Sequence, residues 1–323
     1  MSTARLVAVF LVKDWERRYN KRVSISLGGT MYSNFKTYFV LFIGVFALST
    51  SAIFVKIADA PAPIIAFYRL LTAGVVLLPF FLCSRSCRSE FKALQPRQWL
   101  QIIAAGFCLA LHYVMWFESL NYTSIASSTV LVSLQPLFSL AFERFFSRKK
   151  VAPSALVGVA IALVGCFIIG SGDFQISGLS LWGDILAFLA AGVISMYFFV
   201  GSSVRQSTST VTYSVLSYGV SAVILAAYSL LRGDSFVGYA PTTWLAFLGL
   251  ALICTIGGHF VFNVLLKDVP ASFVTMSILG EPIGTCILAY FLLHESIAPQ
   301  QLLGIVMIMA GMAVFFILPN RKK

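Results

Sequence analysis

Charge is scarce in this sequence. Only 11% of its 323 residues are charged and only 12 are acidic, against roughly 25% charged in a soluble domain. Without that polar surface, a chain that is 59% hydrophobic cannot hide its apolar side chains in one aqueous core. Histidine occurs three times, and the six cysteines are scattered. Cys108, Cys166, Cys254 and Cys286 fall inside apolar runs, while Cys83 and Cys87 have no second Cys/His pair at ligand spacing. This argues against a disulfide framework and supports no metal site. A G-x-x-x-x-G-K-[ST] phosphate loop, an HExxH helix, clustered acids and a nucleophile elbow are all missing. ATP-driven transport by this chain alone and the common hydrolase mechanisms therefore have no anchor, and no cofactor is expected.

What the sequence has instead is long apolar runs. They cover roughly 37–57, 63–83, 98–118, 125–146, 152–170, 181–201, 210–231, 242–265, 271–293 and 299–318. Runs of about 20 residues match the hydrocarbon thickness for a helix and mostly lack the alternation of a barrel strand. Inside lipid every backbone N–H and C=O must be satisfied internally, which favours helices. The expected fold class is an all-α integral membrane protein of ten transmembrane helices.

The basic residues sort by side. If the spans alternate, 20 of the 23 Lys and Arg share one face, and only Lys56, Arg69 and Arg232 lie toward the other. Positive charge marks the cytoplasmic side. Both termini are therefore expected in the cytoplasm of a multi-pass plasma-membrane protein of the bacterial inner-membrane type. The net charge of +11 reads as a topology signal, and no nucleic-acid partner is expected. Residues 1–35 form a basic cytoplasmic extension in which Leu6–Val12 is too short to span. Met31, just before the first run, is an alternative start of translation.

The chain also repeats itself at a constant offset of 146 residues. Pro136 falls on Pro282, Pro153 on Pro299, Gly158 on Gly304 and Gly165 on Gly311. Pro and Gly mark special backbone, so four coincidences in one register indicate duplication. The first copy, 36–172, holds helices one to five, and the second, 180–319, holds six to ten. Five is odd, so the second copy must enter the membrane from the opposite side. Such inverted repeats are a recurrent transporter device, because two similar halves can exchange conformations. Ala155, Gly158, Ala162 and Gly165 lie three or four apart, with Gly304 and Gly311 in the second copy, which predicts close helix packing.

These repeat residues bring a family into view. Residues 119–137, SLNYTSIASSTVLVSLQPL, resemble the fourth span of EamA-type members of the drug/metabolite transporter superfamily. Residues 258–295, with GHFVFNVLLKDVPASF and ILGEP, are similar to the matching part of the second repeat, and Phe67-Tyr68-Arg69-Leu70 fits an arginine usual in the second span. The resemblance covers about 37–318. It implies two five-helix repeats moving small metabolites such as amino acids. The family's Gly-Glu pair after the fourth span is His294-Glu295 in the second copy but Arg148-Lys149 in the first, a departure that puts a shared role for that Glu in doubt.

Ionisable groups at membrane depth cost roughly 2.5–3.5 kcal/mol each on insertion scales, so each one needs a reason. Glu281 lies near the midplane of span nine and its repeat mate Gln135 at the same depth of span four. Each precedes a proline, which predicts kinked helices with the carbonyls of Val132 and Ile278 freed. Glu281 is a candidate for substrate binding or coupling, or else a protonated interhelical donor. Arg69, about two turns into span two, receives a carboxylate or pairs with a protein acid such as Glu118. His112 at outer depth and His259 nearer the cytoplasm are proton-relay candidates or satisfied interhelical partners. Tyr68, Tyr113, Trp116 and Tyr122 wall a pocket or form an interfacial belt. Asn121 and Asn263 are candidate polar contacts, and Asp184 is expected to be solvated. The favoured reading is a secondary transporter of small polar, amino-acid-like metabolites working by alternating access, with protons or another ion as coupling partner. A channel or scaffold, and a membrane enzyme, are the alternatives.

Overall fold

The computed structural model describes residues 35–147, 151–170, 178–293 and 299–317. The chain divides after Phe39, and the helices pack together as one unit from Val40 onward. All described regular structure is helical. The helices are α1 Phe35–Ser49, α2 Ser51–Ile57, α3 Ala62–Cys83, α4 Arg85–Ala93, α5 Pro96–Ser119, α6 Ile125–Val132, α7 Gln135–Phe145 and α8 Pro153–Gly170. In the second half they are α9 Gly178–Val204, α10 Thr210–Arg232, α11 Pro241–Gly249, a π-helical stretch Leu250–His259, α12 Phe260–Leu265, α13 Ala271–Ile278, α14 Glu281–Leu293 and α15 Pro299–Ile317. Among the described residues seven helical stretches are long and apolar enough to cross a membrane, and two shorter apolar helices cover 153–168 and 302–317.

Local sequence explains where these helices start and stop. Pro63, Pro96 and Pro241 sit in first turns, where a missing N–H costs nothing. Gln95 and Gln98 close a capping box on α5. The Ser209 hydroxyl accepts the Thr212 N–H at the start of α10. That helix ends on Gly233 at φ +75°, where the Asp234 N–H reaches the Ser229 carbonyl. The left-handed turn is open to glycine at no steric cost. Prolines 136 and 282 act more strongly than as kinks. The apolar run 125–146 breaks into α6 and α7 across Ser133–Leu134, and the run 271–293 into α13 and α14 across Leu279–Gly280, with each proline in the first turn of the second piece. The Arg148-Lys149 and His294-Glu295 comparison falls outside the described residues.

Polarity is distributed as a lipid environment requires. Leu231, Phe145 and Val223 are at least 70% exposed, whereas Arg69, Gln135, Glu143, Asn263 and Glu281 are buried. The chain is a multi-pass membrane protein with an apolar exterior and with polar and charged side chains buried among an otherwise apolar core. Asp184 is among the buried groups, a correction to its expected solvation: the Thr123 hydroxyl donates to it at 2.8 Å and neutralises part of the burial cost.

The two copies meet about a pseudo-twofold relation. Helices α8 and α15 cross where a Cβ on Gly158 would lie 2.7 Å from the Gly311 carbonyl oxygen and one on Gly165 2.6 Å from that of Gly304. Exchanging the copies turns the first contact into the second. Only hydrogen fits at such a crossing. A second exchange-related pair ties each broken helix to the other copy. The Ser49 hydroxyl donates to the Glu281 carbonyl at 3.1 Å, and its mate Ser195 donates to the Gln135 carbonyl at 2.9 Å. Each break therefore finds a donor in the opposite half.

Candidate functional site

Arg69 anchors the site. It is fully buried on α3, with Nε donating to the Thr255 hydroxyl at 2.8 Å and Nη1 to Ser51 at 2.7 Å. Its guanidinium carbon lies 4.3 Å from the centre of the Tyr113 ring and 6.0 Å from that of Phe117. These contacts hold the fork rigidly while Nη2 has no hydrogen-bond partner among the described residues. The pairing with Glu118 considered from sequence is absent: Glu118 instead bridges Arg232 at 3.3 Å. Position along the helix explains the difference, since Glu118 lies in the last turn of α5.

Thr255 is presented by the π-helical stretch, where its hydroxyl also reaches the Leu250 carbonyl five residues back at 2.9 Å. Mid-helix π turns accompany functional sites because they turn side chains off the α-helical stripe. The same stretch carries Cys254 and His259. His259 stacks on Phe198 with ring centres 5.8 Å apart and meets Tyr113 edge-on at 5.7 Å. The two histidines are thus brought to one aromatic cluster, although span counting separates them. His112 lies 5.0 Å from Tyr113 and stacks on Trp116, with Nδ1 3.0 Å from the Ala190 carbonyl. A carbonyl accepts only, so Nδ1 of His112 carries the proton.

Glu281 starts α14 and is buried, and among the described residues no side chain bonds its carboxylate. It forms no ion pair with Arg69. The hydroxyl of Tyr113, Nε1 of Trp116, Nδ1 of His259 and Oδ1 of Asn263 join Arg69 Nη2 as buried polar atoms without a partner. Orphaned buried polar groups cost about 1–3 kcal/mol each, which makes this group of them a candidate site.

The other sequence candidates divide. Asn263 lies in an adjoining tyrosine network, its Nδ2 donating to Tyr197 at 2.7 Å and to Ser214 at 3.1 Å. Gln135 is buried at the other break with Oε1 unpartnered. Tyr113 is buried against Arg69 and Trp116 is buried against His112 and Phe117, so neither stands in an exposed belt. Tyr68 is half-buried, its hydroxyl on the Phe236 carbonyl and its ring stacked on Phe247, which places it under the loop between α10 and α11. Asn121 is exposed and bonds only Glu118, away from the cluster. Sequence reasoning missed Ser51, Thr255, Ser49 and Ser195, which have no unusual local signature. The last two, however, stand in the same 146-residue register as Gln135 and Glu281.

The pattern described as the EamA-like transporter family matches residues 35–171 and again 181–317, one copy for each half of the geometry above. The chain belongs to the EamA-like transporter family. Among its EamA relatives is the uncharacterized transporter YwfM of Bacillus subtilis, 25% identical over 91% of this chain and 97% of that one. An uncharacterized transporter of Archaeoglobus fulgidus is 23% identical over 81% of this chain and 91% of its own length. A solved structure described only as a crystal structure of a protein shares the fold, with TM-score 0.73 and 18% identity, covering 90% of this chain and 99% of that one. Like these EamA relatives, the protein is a transporter by family.

Proposed function

We propose that this EamA protein is a secondary transporter that moves small polar, amino-acid-like metabolites by alternating access of two inverted five-helix halves. The observation that carries this reading is the fixed, fully buried guanidinium of Arg69, whose Nη2 nitrogen has no hydrogen-bond partner and which has no acid paired to it among the described residues. A substrate carboxylate docks on Nη2, where the charge of Arg69 is worth most because water is excluded. Glu281 takes the substrate ammonium or a coupling proton. Tyr113, Trp116 and His259 supply further hydrogen-bonding groups around the carboxylate. Thr255 lies on a π-helical stretch and Glu281 at the break of a helix, the kind of irregular backbone that transporters place around midplane sites, which supports this reading. In this reading ten helices cross a plasma membrane of the bacterial inner-membrane type, with both termini cytoplasmic.

Purified protein in liposomes, screened for counterflow with labelled amino acids and related acids, tests the proposal. Saturable exchange should be lost in Arg69→Ala and should lose its dependence on a proton gradient or on the substrate amine in Glu281→Gln. Flux that rises without saturation would indicate a pore, and unchanged kinetics in both variants would remove the two residues from the mechanism.

A further inference from the structure

The Ser49–Glu281 and Ser195–Gln135 contacts survive exchange of the two copies, but the contacts beside them do not. One turn after Glu281, the Thr285 hydroxyl reaches two carbonyls, that of Glu281 at 3.0 Å and that of Ser49 at 3.3 Å. Thr285 thus ties α14 to α1 of the other copy. Its repeat mate is Ser139, one turn after Gln135 on α7. Ser139 is fully buried, and among the described residues its hydroxyl has no partner. The carbonyl that corresponds to Ser49's is Ser195's, on the helix whose own hydroxyl already holds Gln135. The same chemistry is therefore built at both breaks and engaged at only one.

In a machine of two inverted halves, exchanging their conformations produces the opposite-facing state. We infer that Thr285 and Ser139 are opposed positioning residues. The Thr285–Ser49 bond belongs to the present state, and a Ser139–Ser195 bond replaces it when the protein opens to the other side. Ser49 and Ser195 act as the pivot common to both states, since their bonds to Glu281 and Gln135 are equivalent under the exchange. A side-chain hydroxyl suits this role, because an interhelical hydrogen bond inside a membrane protein is weak enough to break in each cycle. The site follows, because Glu281 and Gln135 sit one turn before the two switching hydroxyls. The inference rests on the alternating-access reading.

Hydrogen–deuterium exchange of the full chain in lipid nanodiscs tests it, comparing the loops at 58–61 and 120–124 with those at 205–209 and 266–270. Ser139→Ala should favour the Thr285-bonded state and Thr285→Val the other, shifting the ratio of exchange between the two loop sets in opposite directions, by about three- to tenfold each. Ser139→Thr, which keeps the hydroxyl, should behave as the wild type. Shifts in the same direction, or none, in a protein whose wild type shows reciprocal protection with a transported solute, would overturn the exchange of partners alone. Absence of reciprocal protection in every variant and in the wild type would overturn it together with alternating access.

Discussion

Replacing Gly165 by alanine tests the crossing on which the relation of the two halves depends. The new Cβ would stand 2.6 Å from the Gly304 oxygen, 2.8 Å from the Ile308 nitrogen and 2.9 Å from the Met307 Cβ. Two of those three are backbone atoms, so no rotamer change relieves the clash. Ordinary contact begins at 3.4 Å, so α8 and α15 must retreat by about 0.8 Å, and a gap of that size forfeits a quarter to a half of each neighbouring dispersion contact. Overpacking of this kind costs about 1–3 kcal/mol, offset by up to about 1 kcal/mol from the better helix propensity of alanine. A net loss of about 1–2 kcal/mol is expected. Gly219→Ala is the control. Gly219 is also helical, but a Cβ there meets nothing within 4 Å, so only the propensity gain remains. Reversible unfolding in mixed detergent micelles, read by circular dichroism, separates the two. If Gly165→Ala proves as harmless as Gly219→Ala, the crossing geometry is wrong.

Glu143 is buried and accepts both the N–H and the hydroxyl of Ser272 at 2.9 Å, so Glu143→Ala should leave the start of α13 uncapped and cost about 2–3 kcal/mol in the same assay, more than Ser272→Ala. Burial pushes the Asp268 carboxyl above the usual carboxylate range, against the pull of Lys267 and Arg205. A value raised in the fold contributes stability below the unfolded value and loses it as pH rises through the folded one. Melting curves should therefore show Asp268→Asn gaining on the wild type at about pH 7 and matching it at about pH 3. Asn121→Ala should leave counterflow unchanged because that side chain bonds only Glu118 outside the cluster, whereas Asn263→Leu should strip Tyr197 and Ser214 of their shared donor and lower both stability and transport.

Features that need a particular residue type are legible in the sequence. Proline cannot donate and glycine has no Cβ, so Pro136, Pro282, Gly158 and Gly311 announce the breaks and the crossing by residue type alone. Arg69 and Glu281 are legible for a similar reason, since charge in hydrocarbon demands an explanation. Features that depend on direction are not. Depth along a helix does not say which way a side chain points, so Asn121 reads as a candidate polar contact while it bonds Glu118, and Glu118 is offered to Arg69 while it meets Arg232. Serine and threonine are common in spans and satisfy themselves on the preceding turn, which hides Ser51 and Thr255 as the holders of Arg69. The π-helical stretch has no local sequence mark. It brings His259 to Tyr113, the neighbour of His112, where counting residues separates the two histidines.

The antiparallel insertion of the two copies is tested most directly at a pair of equivalent positions. Ser154 and Gln300 occupy the same place in the first turns of α8 and α15. Single cysteines there, in membrane vesicles of known orientation treated with a thiol reagent that cannot cross lipid, should label from opposite faces, Ser154→Cys from the cytoplasmic side and Gln300→Cys from the other. Labelling of both from one face would mean that the copies run in parallel, and the exchange of halves proposed for transport would have no structural basis.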